Sequence, residues 1–323
     1  MPAFITHYLY GVDLYQSLDI PPLKQILKHQ IGPYRLGLQG PDIFFYHLPS
    51  LVRGEKLGSQ MHETKVSDFF HNYLKSMSHF TGESQEIALA YLCGFIAHNT
   101  LDGFVHPYVY SRAGFQPEKI RPNRFCCGIH GEIEACIDFI LLQRVRNLRP
   151  SQFHPSKTIH LTPKQASVIA FILSKSINET YFSIEQPRIT PFVIKQAFLS
   201  TKLATTLLHS NNGIRKKILH TLEHQLLHYN IVATTINWDG MEDLHDAMNQ
   251  QHKVWRNPWL PRLSSTESFD ELYEKAKLKY KRILPLLSDY VSSDTMTKRQ
   301  KIKPLLKELG NVSYHSGLNC DGG

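Results

Sequence analysis

His98, Asp102 and His106 recur every four positions within the segment GFIAHNTLDGFVHPY. If that segment is helical, three metal-ligand side chains stack on one face, about 6 Å apart at each step and about 12 Å overall. One ion can take two of them. Three over that span suit two ions, with Asp102 able to bridge through its two carboxylate oxygens. A second pair, His130 and Glu134, repeats the four-residue spacing in HGEIEACID and faces inward if Ile133, Ile137 and Ile140 pack. Imidazole and carboxylate together favour zinc over magnesium or calcium, whose ligands are oxygens. Burying so many ionisable groups without a cation would be costly. A third ladder, His220, His224 and His228, has no acid at the same spacing, and Leu219, Leu222, Leu226 and Leu227 lie beside it. It reads as an exposed or half-buried stripe rather than a ligand set.

The elements that must hold these side chains are helices. The chain has 323 residues, 42% hydrophobic and 20% charged, which supplies a core and excludes a disordered or collagen-like polymer. Its 18 histidines equal its 18 glycines, a surplus that directs attention to metal or proton chemistry. Apolar periodicity predicts helices over 83–105 (with Thr81 as a cap), 128–148 and from Thr162-Pro163 through Ile177. Further helices are predicted over 190–208, 213–235, 240–253, 266–289 and 294–309. Strand alternation is almost absent. The fold class is therefore all-α: a single large helical domain over 1–309, with a loose tail at 310–323. Segments 31–60, 107–127, 149–161 and 254–265 hold ten of the 18 prolines and read as long loops around a cleft.

Charge and cysteine content narrow the partners. The net charge of +8 and a pI near 9.1 attract phosphate groups, nucleic acid or an acidic membrane surface. The densest basic run, Lys298, Arg299, Lys301, Lys303 and Lys307, reads as a solvated helix face. The five cysteines form no CxxC pair, so they are expected to be reduced and to contribute little to metal binding. The start, MPAFITHYLYGVDLY, lacks the features of a signal peptide, and no apolar run reaches the ~20 residues of a spanning helix. The expected location is cytoplasmic, at most peripheral at a membrane.

Five segments carry a family resemblance: PAFITH at 2–7, GPDIFFY at 40–46, MHETK at 61–65, GFIAHNTLDGFVHPY at 94–108 and HGEIEACID at 130–138. In this order they resemble the bacterial zinc-dependent phospholipase C family, whose superfamily includes the fungal single-strand nucleases. The likeness covers roughly the first 140 residues; the later Trp255–Pro258 stretch and the Ser268 helix are compatible with it. It implies up to three zinc ions in an all-helical domain. One would be held by Asp42, His62, His98 and Asp102, and a second by His106, His130 and Glu134. The third would take His7, Asp102 as bridge, and the amino-terminal residue, which is Pro2 if Met1 is removed. His62 is preferred to His47, which lies five positions beyond Asp42, because MHETK matches the family motif. The chain departs from the secreted phospholipases in three respects: His106 follows Asp102 by four positions rather than six, the interval from Asp42 to His62 is longer, and neither a signal peptide nor a mature N-terminal Trp is seen.

The resemblance implies phosphodiester hydrolysis by a metal-activated water, with Asp42 as ligand and proton acceptor. The expected substrate is a phosphate ester, a glycerophospholipid ahead of nucleic acid. Phe44, Phe45, Tyr46 and Tyr108 are expected to meet its acyl-glycerol part, or to stack a base. No obligate protein partner is expected. Two alternatives stand beside this reading: a single-strand nuclease-like phosphodiesterase, and a non-catalytic helical protein that binds metal and a membrane surface.

Overall fold

Helix dominates the computed structural model, which describes residues 4–47, 56–118, 122–183, 188–209, 212–228, 230, 232–243 and 246–321. In chain order the helices are α1 (Phe4–Gln16), α2 (Pro21–His29), α3 (Ile31–Gly37), α4 (Leu57–Glu63), α5 (Val66–Met77) and α6 (Gly82–Arg112). They continue as α7 (Pro122–Arg146), α8 (Pro163–Tyr181), α9 (Pro191–Leu207), α10 (Ile214–Leu227), α11 (Phe269–Ser292) and α12 (Thr295–Leu309). A 3-10 turn covers Gly40–Phe44. A two-residue hairpin, β1 (Trp255–Arg256) against β2 (Ser264–Ser265), is the one sheet among the described residues. All five cysteines are free. No helix of the described residues is long and apolar enough to cross a membrane.

Helix α6 is the axis of the molecule. Every residue from Ile87 to Asp102 is buried, so the segment has no solvent face and its helical period shows only in its polar residues. It is wrapped by α3 and α11 most extensively, and by α1, α5, α7 and α8. Helix α11 buries Leu272, Ala276, Tyr280, Ile283 and Leu287, spaced three and four apart, and its Tyr280 hydroxyl donates to the Cys93 carbonyl at 3.2 Å. Contact with α3 is backbone to backbone. A β-carbon on Gly94 would lie 2.2 Å from the Tyr34 carbonyl, and one on Gly37 would lie 2.2 Å from the Tyr91 carbonyl. Only paired glycines allow this approach, and it brings the Leu38 carbonyl to the His98 ring.

Helix α1 is tied to α7 by Asp138. Its carboxylate accepts from the Ile5 and Thr6 amides at 3.2 and 2.7 Å and from the Thr6 hydroxyl at 2.7 Å. The Asn237 amide adds a fourth bond at 3.1 Å. The first-turn amides of a helix have no partner within it, so a carboxylate from another helix both caps α1 and sets the direction of His7, one residue on.

Several boundaries differ from those the sequence predicts. Helix α6 runs through Pro107 to Arg112 because Tyr108 and Val109 are fully buried beyond it; packing outweighs the lost hydrogen bond. Thr81 stands at its N-cap position without a side-chain cap, whereas Thr162 makes the full capping box with Gln165. The described residues of the 31–60 stretch hold α3, the 3-10 turn and the start of α4, and α1, α2 and α5 add to the helices expected. Helix α10 stops at Leu227, where His228 turns left-handed at φ 61°. Over 240–253 the described residues form turns, not a helix. Asp246, Asn249 and His252 all have positive φ, and the Asp243 carboxylate takes the Ala247 amide at 3.0 Å, a local side-chain bond that competes with helix.

The segment expected to be a loose tail is also ordered where described. Residues 311–320 close into a short antiparallel loop through Val312 and Asn319, with Cys320 N donating to Asn311 O at 2.8 Å. Tyr314 is buried within it, and its amide donates to the His62 carbonyl at 2.8 Å.

Candidate metal centre

Eight ligand-type side chains converge from five elements, and all eight are buried. His7 comes from α1, Asp42 from the 3-10 turn, His62 from α4, His98, Asp102 and His106 from α6, and His130 and Glu134 from α7. Three trios have ligand atoms that all lie within 4.8 Å of one another: His7, Asp42 and His98; His62, His98 and Asp102; His106, His130 and Glu134. Asp102 sits between them. Its Oδ1 is 3.1 Å from His7 Nε2, and its Oδ2 is 3.0 Å from His98 Nε2, 3.6 Å from His106 Nδ1 and 3.8 Å from His62 Nε2. Asp42 Oδ1 meets His62 Nε2 at 3.1 Å. Glu134 Oε1 meets His130 Nε2 at 3.0 Å and His106 Nε2 at 3.2 Å.

Three of the rings have a fixed tautomer. A carbonyl oxygen only accepts, so His62 Nδ1 donates to Gly58 O at 2.7 Å, His98 Nδ1 to Leu38 O at 3.2 Å and His106 Nδ1 to Tyr314 O at 3.1 Å. In a neutral ring the other nitrogen, Nε2, then presents a lone pair. Each of these lone pairs points at a carboxylate oxygen 3.0–3.2 Å away. Lone pair against anionic oxygen is repulsive unless the ring is protonated or a cation lies between. Ligands at about 2.0–2.1 Å from a tetrahedral zinc stand about 3.3 Å apart, so the spacing needs only tenths of an ångström of adjustment. The buried atoms Asp42 Oδ2, Asp102 Oδ2, Glu134 Oε2 and His98 Nε2 have no hydrogen-bond partner among the described residues. Orphaned acceptors facing one another are what a metal cage leaves when only its protein atoms are considered. The residues fit a metal.

The electrostatics carry the same signature. Burial raises the carboxyl of Asp102, but His106, His98 and His7 around it outweigh that and hold it well below its ordinary range. Asp42 is likewise lowered against burial by His98 and His62. Burial works against protonation of His106, yet Asp102 and Glu134 push it up to about 9, while burial lowers His98 and His130. His7 is likewise raised against burial by Asp102, so without metal the positive charge of the site sits on His106 and His7. This predicts a pH dependence. The folded pKa of His106 lies above its ordinary 6.5, so its contribution to stability is complete below pH 6.5 and is lost as the pH rises toward 9. Metal needs the unprotonated ring, so metal binding strengthens over that same interval. The difference in melting temperature between metal-loaded and metal-free protein should widen from pH 6.5 to 9; a difference that stays constant or narrows would contradict the assignment.

The sequence-predicted ligands His7, Asp42, His62, His98, Asp102, His106, His130 and Glu134 are brought together, and His62 rather than His47 joins the trios. His47 is buried at the end of the 3-10 turn. Pro2 lies outside the described residues. The aromatic side chains expected to meet substrate are placed differently. Phe44, Tyr46 and Tyr108 are buried core residues, and Tyr108 donates to Ala247 O at 2.9 Å. Phe45 is half-buried, with its ring 5.3 Å from that of His62. A different group of half-buried aromatics borders the centre: Tyr110, 4.4 Å from the His130 ring, in edge contact with Phe115 and Trp259 at 4.9 and 5.0 Å. The ladder His220, His224 and His228 is exposed, with His220 bonded to Asn230 at 2.9 Å.

His315 and the loop that carries it join the site without a ligand spacing in the sequence to mark them. Its ring stacks on His62 at 4.9 Å and 20°, its Nδ1 lies 3.3 Å from Glu63 Oε1, and burial lowers it to about 4. Beside it Tyr314 supplies the carbonyl that orients His106. This C-terminal strap therefore locks the outer side of two ligand rings. Ending the chain at Asn311 should weaken metal binding about 10–100-fold, the usual effect of losing an orienting partner, as read by competition with a chromophoric chelator. Unchanged affinity would remove the strap from the site.

The fold and centre define the chain as an all-α protein with three buried His/carboxylate clusters able to hold metal ions. Comparison with protein-family models, with curated proteins and with solved structures gives no match.

Proposed function

We propose that the protein is a zinc-dependent phosphodiester hydrolase of phospholipase C type, releasing the phosphorylated headgroup of a glycerophospholipid. The observation that carries this reading is the convergence of eight buried His, Asp and Glu side chains from five elements into trios that meet at Asp102. When bound, zinc ions would neutralise phosphate oxygens and lower the pKa of a water nucleophile. His62, His98 and His106 would hold metal through Nε2, each ring fixed at Nδ1 by a backbone carbonyl. Asp102 would be the ligand able to bridge, since its two oxygens face different histidines, His7 and His98. Asp42 keeps one oxygen, Oδ2, without a donor among the described residues and would be the group to accept a proton from the attacking water. Tyr110, Phe115 and Trp259 form an apolar wall beside His130 suited to the glycerol end of the substrate.

The test is hydrolysis by zinc-reconstituted, untagged protein of phospholipid in mixed micelles, run beside single-stranded nucleic acid. Headgroup release that stops with chelator and returns with zinc supports the proposal. Strand cleavage without headgroup release would transfer the site to a nuclease. Neither reaction from protein with full metal content would leave a metal-binding protein rather than an enzyme.

A further inference from the structure

Helix α9 is apolar on two opposite sides. Its inner side buries Ile194, Ala197, Phe198 and Thr201, and Thr201 reaches Ile43 of the 3-10 turn. On the outer side Phe192, Leu199, Leu203 and Leu207 recur at intervals of seven, four and four, each 54–69% exposed. Helix α10 continues the pattern: Ile214, Ile218 and Leu222, four apart, are 47–54% exposed. Seven of the thirteen large apolar side chains exposed among the described residues therefore sit on these two helices. Arg215 fastens one helix to the other, its guanidinium donating to the Thr206, Leu207 and His209 carbonyls at 3.4, 3.2 and 2.9 Å. A soluble surface rarely carries so concentrated a ridge unless something covers it.

Charge selects the occupant. The two helices contain Lys195, Lys202, Arg215, Lys216 and Lys217 and a single acid, Glu223. That acid is buried and accepts from the Val232 and Ala233 amides, so the outer face carries exposed cations and no exposed carboxylate. A second copy of the same face would oppose like charges across the contact. Nucleic acid would find a single ring on the ridge, Phe192, among six aliphatic side chains that neither stack a base nor pair with its edges. Leucine, isoleucine and phenylalanine flanked by lysine and arginine suit the boundary of an anionic bilayer, where the apolar ridge enters the acyl region and the cations meet lipid phosphates.

We infer that the outer face of α9 and α10 is a docking surface for an anionic phospholipid membrane. It stands on residues separate from the metal ligands and is read by binding rather than turnover, so its failure and the failure of the hydrolase reading can be told apart.

The experiment is co-sedimentation of the full chain with vesicles of phosphatidylcholine, with and without phosphatidylglycerol. Two variants are compared, Leu199→Asp with Leu203→Asp, and Lys202→Glu with Lys217→Glu. The wild type should sediment with the phosphatidylglycerol vesicles and far less with neutral ones. The leucine variant should lose about tenfold or more in partitioning, since each buried leucine side chain is worth about one such factor. The lysine variant should lose its preference for anionic lipid. All four positions are exposed, so both variants should melt like the wild type, and the lysine variant decides alone if the other does not fold. Absence of binding to anionic vesicles overturns the inference, as does undiminished binding by the variants. So does a wild type that is dimeric at the assay concentration while the leucine variant is monomeric.

Discussion

Replacing Asp102 by Asn should reduce bound metal to no more than one equivalent per chain and lower the proposed phosphodiester hydrolysis on the order of 10³-fold or more. The substitution preserves shape and removes charge. Asp102 touches His7 through one oxygen and His98 through the other, with His106 and His62 within 3.8 Å, so it lies against a member of each cluster. An amide nitrogen in place of Oδ1 or Oδ2 would donate a hydrogen bond to a histidine lone pair and occupy the position of a cation. The helix around it should persist, because Ile87 through Leu101 stay packed in the core; unchanged far-ultraviolet dichroism with lost metal is the expected pairing. A variant that keeps its metal and its rate would show that Asp102 is a buried structural carboxylate.

The second large effect involves no ligand at all. Gly40 opens the 3-10 turn at φ +47°, and a β-carbon there would lie 2.3 Å from Cδ2 and 2.5 Å from Cγ of His98. That ring cannot retreat easily, being fully buried and bonded to Leu38 O. Gly40→Ala should therefore cost about 2–5 kcal/mol, from the left-handed backbone and the overpacking together, and should displace His98 from the Asp102 side of the centre. Gly82 provides the control. It too has positive φ, +54°, but nothing lies within 4 Å of its added β-carbon. Gly82→Ala should show only the backbone cost, about 1–2 kcal/mol, and leave metal content unchanged. Equal metal content in both alanine variants would mean that His98 does not need the position seen here.

These effects mark how far the sequence could be read. The ladder His98, Asp102 and His106 is legible because the helix period is fixed, and any helix over that segment puts them on one face. The same geometry explains an error. Tyr108 follows His106 by two positions, about 200° round the helix, and so turns away from the site into the core; Tyr110 follows by four and stays on the ligand face. Spacing could have selected Tyr110. The strap could not be selected that way, since the Tyr314 carbonyl that orients His106 lies 208 positions along the chain, and no local pattern encodes so distant a contact. Nor could the periodicity of 240–253 reveal that the Asp243 and Asn249 side chains would take over the backbone bonds of a helix. The cap of α1 by Asp138 is a third case: the donors are local, and the acceptor comes from another helix.

A multinuclear metal centre is the assembly proposed for the buried histidines and carboxylates. Its most direct test is the metal content of untagged protein after loading with zinc and exhaustive dialysis, measured by mass spectrometry of the element against protein concentration. Two or more zinc ions per chain are predicted, falling to one or fewer in Asp102→Asn. Less than one ion per chain in correctly folded wild type, or a content indifferent to Asp102, would contradict the account.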